Sequence, residues 1–254
     1  MSSKASRIDT AEDAVRFEDE LFSYTGQAPR RKPSPKGGAL PGIVDTLYSE
    51  HRYIQSLLDI LDSQSEKLVP GKIPNYHLML DVLDYLTHYP DQYHHPREDL
   101  LFGSLLRQDK GFRKHIERLE REHETVRTYN EQLFGELRAI ASGRPVAQSQ
   151  LRDTLQRYVN GYRKHMDFEA REVFPRASGK LSKSDLAKLD ASTRYIDDPI
   201  FGGVVQKRFR RLARSLESAA GELGLESLGR CPVQLDHKKN REFFILLQAG
   251  QAGN

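Results

Sequence analysis

The sequence has no tryptophan and a single cysteine, Cys231, so it holds neither a disulfide framework nor a metal site built from several thiolates. No stretch approaches the roughly 18 apolar residues of a membrane-spanning helix, and we expect no membrane contact. The first residues lack the short apolar core of a signal peptide, which favours a cytoplasmic protein. The net charge of +3 is too small to identify a partner.

Helical periodicity dominates residues 42–178, where apolar residues recur at steps of three, four and seven and no strand-like alternation is found. Prolines and glycines divide this stretch into segments that we predict to be helices over about 43–68, 75–107, 111–142 and 147–176. Short connections favour antiparallel neighbours, so the predicted fold is all-α, an up-down-up-down four-helix bundle. Pro90 and Pro96 predict a bend or a break near residues 88–96.

The regions outside the predicted bundle differ in composition. Residues 1–41 end in a run rich in proline, glycine and basic side chains, which we interpret as a flexible basic tail. Residues 179–224 are predicted to be a helical extension whose basic helix runs from about Phe201 to Leu223. The apolar face of that helix, formed by Val204, Phe209, Leu212 and Leu216, favours packing on the bundle over binding to DNA. Residues 225–254 are predicted to be a C-terminal tail.

Four of the nine histidines fall in phase with the apolar stripes, one on each predicted helix. They are His51, His94, His123 and His165. A single histidine in such a position is more often an ordinary core residue than a ligand. His95 lies on a neighbouring face, where we predict that it pairs with Asp99.

Two carboxylates share the phase of these histidines. Glu98 follows His94 by four residues, and Glu169 follows His165 by four, so that each pair lies on one helix face. An ionised carboxylate in a protein core costs several kcal/mol unless it is paired or bound to a metal. Four interior histidines together with two carboxylates therefore predict a bound cation.

The type of ligand narrows the choice of metal. Six nitrogen and oxygen ligands exceed the needs of one tetrahedral zinc ion and suit two octahedral ions bridged by carboxylates. Imidazole and carboxylate without thiolate favour iron, with manganese or zinc as alternatives. Ferritin-like di-iron bundles need two Glu-x-x-His motifs, and only Glu120 and His123 have that spacing, so we set this class aside.

The motifs that contain these residues resemble the hemerythrin-like (HHE cation-binding) family over about residues 42–178. The motifs are Ser49-Glu50-His51, Tyr93-His94-His95-Pro96-Arg97-Glu98-Asp99-Leu100-Leu101-Phe102, Glu120-Arg121-Glu122-His123-Glu124, His165-Met166-Asp167-Phe168-Glu169 and Glu172-Val173-Phe174-Pro175. The resemblance implies a centre of two irons in which the four histidines are terminal ligands and the two glutamates are bridges.

Two positions depart from the pattern of the oxygen-carrying hemerythrins. Arg127 stands where those proteins have a second histidine, four residues after the ligand of the third helix. Ala170 stands where they have an aspartate ligand. Fewer ligands leave more open coordination, which favours sensing, peroxide or nitric-oxide chemistry, or iron handling over reversible oxygen carriage. We expect Arg127 to bend away from the centre or to hold a bound anion.

The leading hypothesis is a non-haem di-iron protein that binds a small diatomic ligand, O₂ or NO, at an open position, or that senses oxygen, redox or iron state. Glu122 and Tyr162 are candidates for groups that orient the metal ligands. One alternative is a stress-response enzyme that repairs iron centres or reduces NO or peroxide. Another is a metal-sensing regulatory module that signals to a protein partner through the basic tail or the C-terminal helix. We assign no catalytic residue and do not expect nucleic-acid binding.

Overall fold

A computed structural model describes residues 42–193, 198, 200–201 and 209–223, with side chains up to residue 216 in the last range. The predicted tails, residues 1–41 and 225–254, and Val204 of the predicted basic helix lie outside the described residues. Within the described ranges the regular structure is helical and contains no strand. None of the helices in these ranges is long and apolar enough to span a membrane.

The helices follow the predicted segments closely. The first four regular helices and their intervening turns are α1 (Ile43–Ser65), α2 (Tyr76–Tyr89), a π-helical turn (Pro90–His94), α3 (His95–Gln108), a 3₁₀ turn (Lys110–Phe112) and α4 (Arg113–Ala141). The chain continues with α5 (Gln148–Phe168), a second π-helical turn (Glu169–Val173), α6 (Phe174–Lys180), α7 (Lys183–Ser192) and α8 (Arg210–Leu223).

Local sequence explains where several helices begin and end. The Asn75 side chain accepts a hydrogen bond from the Leu78 backbone N–H and so caps the start of α2. Gly143 takes a φ of 74° just after α4, a left-handed conformation that glycine adopts without a steric penalty. Ser182 and Asp185 form a reciprocal capping box at the start of α7.

The expected bend near residues 88–96 takes the form of a π-helical turn, and the chain does not break there. The ring of Pro96 would clash with the carbonyl of the residue four positions earlier in a regular α-helix, and the wider π turn relieves this clash. The turn Glu169–Val173 stands in the same relation to Pro175. Both π turns contain or adjoin a candidate metal ligand, a location common for such turns.

Two apolar clusters fill the interior of a helical bundle in which α1, α2, α4 and α5 contact one another in a closed ring. The larger cluster includes Ile54, Leu86, Val126 and Tyr162. The smaller cluster includes Leu47 of α1, Leu101 of α3, Leu119 of α4 and Phe174 of α6. The six predicted metal ligands lie along the chain between members of the two clusters, which places them in a polar layer.

The C-terminal extension packs on the larger cluster. Phe209, Leu212 and Leu216 are buried there, as the apolar face of the predicted basic helix requires. The prediction that this helix begins near Phe201 is wrong, because Phe201 lies in a turn and α8 begins at Arg210. Phe201 instead stacks on Tyr53, with 4.3 Å between the ring centroids.

Asp198 anchors this turn to the bundle. Its Oδ1 accepts hydrogen bonds from the backbone N–H groups of Ile200 and Phe201, both at 2.8 Å, and its Oδ2 accepts one from the Tyr85 hydroxyl at 2.5 Å. Burial of the carboxylate raises the pKa of Asp198 to about 6, although these hydrogen bonds act to lower it.

This raised pKa predicts a pH-dependent contribution of Asp198 to stability. The folded protein keeps a proton on Asp198 that the unfolded chain releases above about pH 4, so the stabilising contribution is present at low pH and is lost as the pH rises through about 6. We expect the free energy of unfolding of the wild type, relative to Asp198→Asn, to fall by about 1 kcal/mol between about pH 5 and pH 7.5. Urea unfolding of both metal-free proteins measures this difference, and a constant difference across that range would contradict the prediction.

Candidate metal centre

The polar layer brings together all six residues that the sequence predicts as ligands. The side chains of His51, His94, Glu98, His165 and Glu169 are at most 1% exposed, and that of His123 is 13% exposed. The helical phase explains this convergence, because each histidine takes a position that an apolar residue would otherwise occupy. The layer also has one edge, at His123, that is less completely buried than the rest.

The first group of candidate ligands consists of His51, His94 and Glu98. Glu98 Oε1 lies 2.9 Å from His94 Nε2 and 3.6 Å from His51 Nε2. Glu169 also reaches this group, because its Oε2 lies 3.2 Å from His51 Nε2. Two imidazoles and Glu98 Oε1 therefore lie close together, and one oxygen of Glu169 lies beside His51.

The second group consists of Glu98, His123, His165 and Glu169. The other oxygen of Glu98, Oε2, lies 3.5 Å from His123 Nε2. Oε1 of Glu169 lies 3.4 Å from His165 Nε2. In each group one ligand atom per residue lies within 4.8 Å of all the others, so a single ion could contact them together. Glu98 thus presents one oxygen to each group, and Glu169, a member of the second group, has its other oxygen beside His51.

Most of the converging atoms lack a hydrogen-bond partner among the described residues. They are Nε2 of His51, His123 and His165 and both carboxylate oxygens of Glu98 and of Glu169. Leaving a buried polar atom unpaired costs about 1–3 kcal/mol, and a carboxylate costs more. Cations between the two groups would satisfy all these atoms. Nitrogen and oxygen donors without thiolate fit iron, and they fit manganese and zinc as well.

Glu50 contacts His94 at Nδ1, the ring nitrogen that does not face Glu98. Its Oε2 lies 2.9 Å from His94 Nδ1, and its Oε1 accepts hydrogen bonds from the Tyr89 hydroxyl at 3.0 Å and from an Arg97 guanidinium N–H. A proton on Nδ1 donated to Glu50 leaves the Nε2 lone pair free for a metal. Sequence reasoning missed this role of Glu50, although its position three residues after Leu47, in the apolar stripe of α1, is the signal that could have found it.

Glu122 makes the equivalent contact with His165, at the Nδ1 atom that does not face Glu169. Its Oε2 is 3.2 Å from His165 Nδ1, and its Oε1 accepts a hydrogen bond from Arg118 Nε at 2.7 Å. The geometry is that of a group which orients a metal ligand, the role for which the sequence made Glu122 a candidate. The other candidate, Tyr162, is buried, and its ring centroid lies 6.3 Å from that of His165.

Charges within the layer shift the pKa values of its members. Burial acts to lower the pKa of His94, but the Glu98 and Glu50 carboxylates on its two nitrogens outweigh this effect and raise the pKa to about 10. Burial acts to raise the pKa of Glu98, and the surrounding imidazoles, His94 foremost, hold it well below its usual range. Without a metal, His94 is therefore an imidazolium beside a carboxylate, and a metal ion has to displace its proton.

The predictions for two residues at the less buried edge, His95 and Arg127, have different outcomes. The prediction that His95 pairs with Asp99 is wrong, because His95 Nδ1 lies 2.9 Å from Asp91 Oδ1. Helical side chains tilt toward the N-terminus, which favours the carboxylate four residues earlier over the one four residues later. Arg127 turns outward, donates a hydrogen bond to Glu124 Oε2 at 2.5 Å and is 45% exposed, so it bends away from the layer.

Comparison with known protein families identifies one match. The model of the hemerythrin HHE cation binding domain matches residues 42–177, more than half of the chain, and this confirms the family resemblance that the motifs indicate. Searches of curated proteins and of solved structures found no match. The matched range spans every residue of the polar layer.

Proposed function

The chain belongs to the hemerythrin HHE cation-binding domain family, and we propose that it holds two iron ions in the polar layer and binds a small diatomic ligand, O₂ or NO, at an open position. The observation that carries this proposal is the set of seven buried, unpartnered nitrogen and oxygen atoms of five side chains that converge there. Cation binding is the general property of the family, and the pairing of the ions is our inference from the two groups of ligands.

We assign four protein atoms to each ion. The first ion takes His51, His94, Glu98 Oε1 and Glu169 Oε2, and the second takes His123, His165, Glu98 Oε2 and Glu169 Oε1. Glu98 and Glu169 would then be shared by the two ions. Iron commonly takes about six ligands, so four protein atoms for each ion would leave room for an external ligand. We further propose that the four segments connect up-down-up-down, which the closed ring of helix contacts and the short connections support.

The second position is the better candidate for an external ligand. Its ligand His123 is the most exposed of the six, whereas both imidazoles of the first position are at most 1% exposed. Arg127, which stands where the oxygen carriers have another histidine, is directed outward and supplies no ligand there. An ion held by the second group would therefore have room for an external ligand on the side of His123.

The chain's own residues control this chemistry by orientation and by exclusion of water. A pair of reducible irons would supply the electrons that a bound diatomic ligand withdraws. Glu50 and Glu122 fix the imidazole rings of His94 and His165, and the two flanking apolar clusters keep bulk water from the layer. Glu98 and Glu169, which we assign to both ions, would balance part of the charge of the bound cations.

Metal content after anaerobic loading with Fe(II) tests the proposal. We expect about two iron ions per chain, and we expect absorption bands of an oxo-bridged pair in air that change when azide is added. A chain that binds one ion or none, or that binds two without these bands, would contradict it. Manganese and zinc loaded in parallel show whether the layer prefers iron.

A sensing role is the second candidate, and one line of contacts favours it. Asp198 of the extension accepts a hydrogen bond from Tyr85, Tyr85 stacks on Tyr89 at 5.3 Å between ring centroids, and Tyr89 donates to Glu50 behind His94. Metal loading should then alter the rate at which a protease cleaves the extension. Equal cleavage of the loaded and metal-free proteins would rule out this role, and turnover of NO or peroxide would instead indicate the enzyme.

A further inference from the structure

One buried hydroxyl beside the polar layer has no partner among the described residues. Tyr162 is 1% exposed, and its hydroxyl group makes no hydrogen bond within the part of the chain that the structure describes. A buried hydroxyl without a partner costs about 1–3 kcal/mol, and phenylalanine would fill the same space without that cost. The hydroxyl group therefore calls for a partner other than the described residues.

The position of Tyr162 limits what that partner can be. Tyr162 precedes His165 by three residues and Glu169 by seven, so the three side chains lie on one face of the same helical segment. His165 and Glu169 belong to the second group of ligands, and the Tyr162 ring lies 6.3 Å from the ring of His165. Glu98 and Glu169 both act electrostatically on the phenol. Tyr162 is thus a neighbour of the second group of ligands, the group at which we propose that the external ligand binds.

We infer that the Tyr162 hydroxyl donates a hydrogen bond to the external ligand at the second metal position and so selects for ligands whose free end is a hydrogen-bond acceptor. This inference rests on the proposed function. A tyrosine hydroxyl is protonated at neutral pH and can donate one hydrogen bond through its O–H group. The carboxylate oxygens of Glu98 and Glu169 are the atoms that we assign to the ions, so the acceptor that we infer for this donor is the external ligand. Tyr162 is on this view a specificity-determining residue.

Tyr158 provides a matched control on the same helix, one turn away. It is also buried, but its hydroxyl oxygen accepts a hydrogen bond from the Asn130 side-chain amide at 3.1 Å. The substitutions Tyr162→Phe and Tyr158→Phe therefore remove the same atom from two buried tyrosines. Only one of the two hydroxyl groups has a partner within the protein's described part.

The first experiment uses azide as the probe on the iron-loaded, oxidised protein. We expect Tyr162→Phe to bind azide about tenfold more weakly than the wild type, which is the effect of losing one hydrogen bond, and Tyr158→Phe to bind it normally. The azide stretching vibration of the wild type should shift on transfer to D₂O, and this shift should be absent in Tyr162→Phe. Equal affinities together with the same shift in all three proteins would overturn the inference.

The second experiment needs no metal and separates a ligand-binding role from a structural one. We expect metal-free Tyr162→Phe to unfold at a urea concentration no lower than the wild type, and Tyr158→Phe to unfold at a lower one because the Asn130 amide loses its partner. A loss of stability in Tyr162→Phe as large as in Tyr158→Phe would show an internal partner and overturn the inference. If the wild type binds fewer than two irons or no azide, the proposed function fails and this inference fails with it. If the wild type binds both and Tyr162→Phe is unchanged, only this inference fails.

Discussion

Replacement of Glu98 by alanine is expected to abolish the binding of both metal ions. Glu98 is the residue shared by the two groups of ligands, and its two oxygens face different imidazoles. Its removal takes one ligand from each ion and one of two bridges from the pair. We expect the iron content to fall from about two ions per chain to well below one, measured after anaerobic loading and gel filtration.

Three further variants show whether the effect comes from the sharing of Glu98 between two ions. His165→Ala removes a ligand of the second position only, and we expect it to retain about one ion per chain. Asp99→Asn changes the exposed carboxylate next to Glu98, and we expect it to retain both ions. If Glu98→Ala and His165→Ala lose the same amount of iron, Glu98 is not shared between two ions. Glu98→Gln, which has nearly the same shape, separates the loss of a ligand from the loss of packing.

The helices and the convergence of the ligands could be predicted because both depend on helical phase alone. His51 lies four residues after Leu47 and three before Ile54, and this spacing determines which face of α1 the imidazole occupies. The larger and the smaller apolar cluster both have members on the segments that carry the ligands, and the ligands fall between them in sequence. This spacing is enough to predict a layer of ligands between the two clusters. The assignment of two ions to the layer stays a prediction, because it depends on chemistry that the spacing does not contain.

The hydrogen bonds that orient the ligands could not be predicted from the spacing of residues in the sequence. Glu50 and Arg97 lie on different helical segments, and only the packing of the bundle brings these two buried charges together. The predicted partner of His95, Asp99, is wrong because the sequence offers a carboxylate four residues before His95 and another four residues after it. The tilt of helical side chains toward the N-terminus favours the earlier one, Asp91. The π turns likewise depend on how the chain accommodates Pro96 and Pro175, which a proline count does not reveal.

Replacement of Glu50 by alanine is expected to destabilise the protein by about 3–5 kcal/mol, because it leaves a buried guanidinium without its carboxylate. Arg97 is 6% exposed, and Glu50 is its buried partner. The same substitution removes the acceptor of His94 Nδ1, so we expect metal affinity to fall about 10- to 100-fold. Urea unfolding and competition with a metal chelator measure the two effects. Asp62→Ala, which breaks a more exposed pair with Arg163, should cost no more than about 1 kcal/mol.

A double variant separates the two roles of Glu50. In Glu50→Ala/Arg97→Leu no unpaired charge is left at this point, and an apolar residue in place of a buried ion pair is often neutral or stabilising. We therefore expect the double variant to regain most of the lost stability. Its metal affinity should stay low, because His94 still lacks the acceptor that fixes its tautomer and ring orientation. Recovery of metal affinity along with stability would mean that Glu50 serves the fold alone, and that the first metal position does not depend on the orientation of His94.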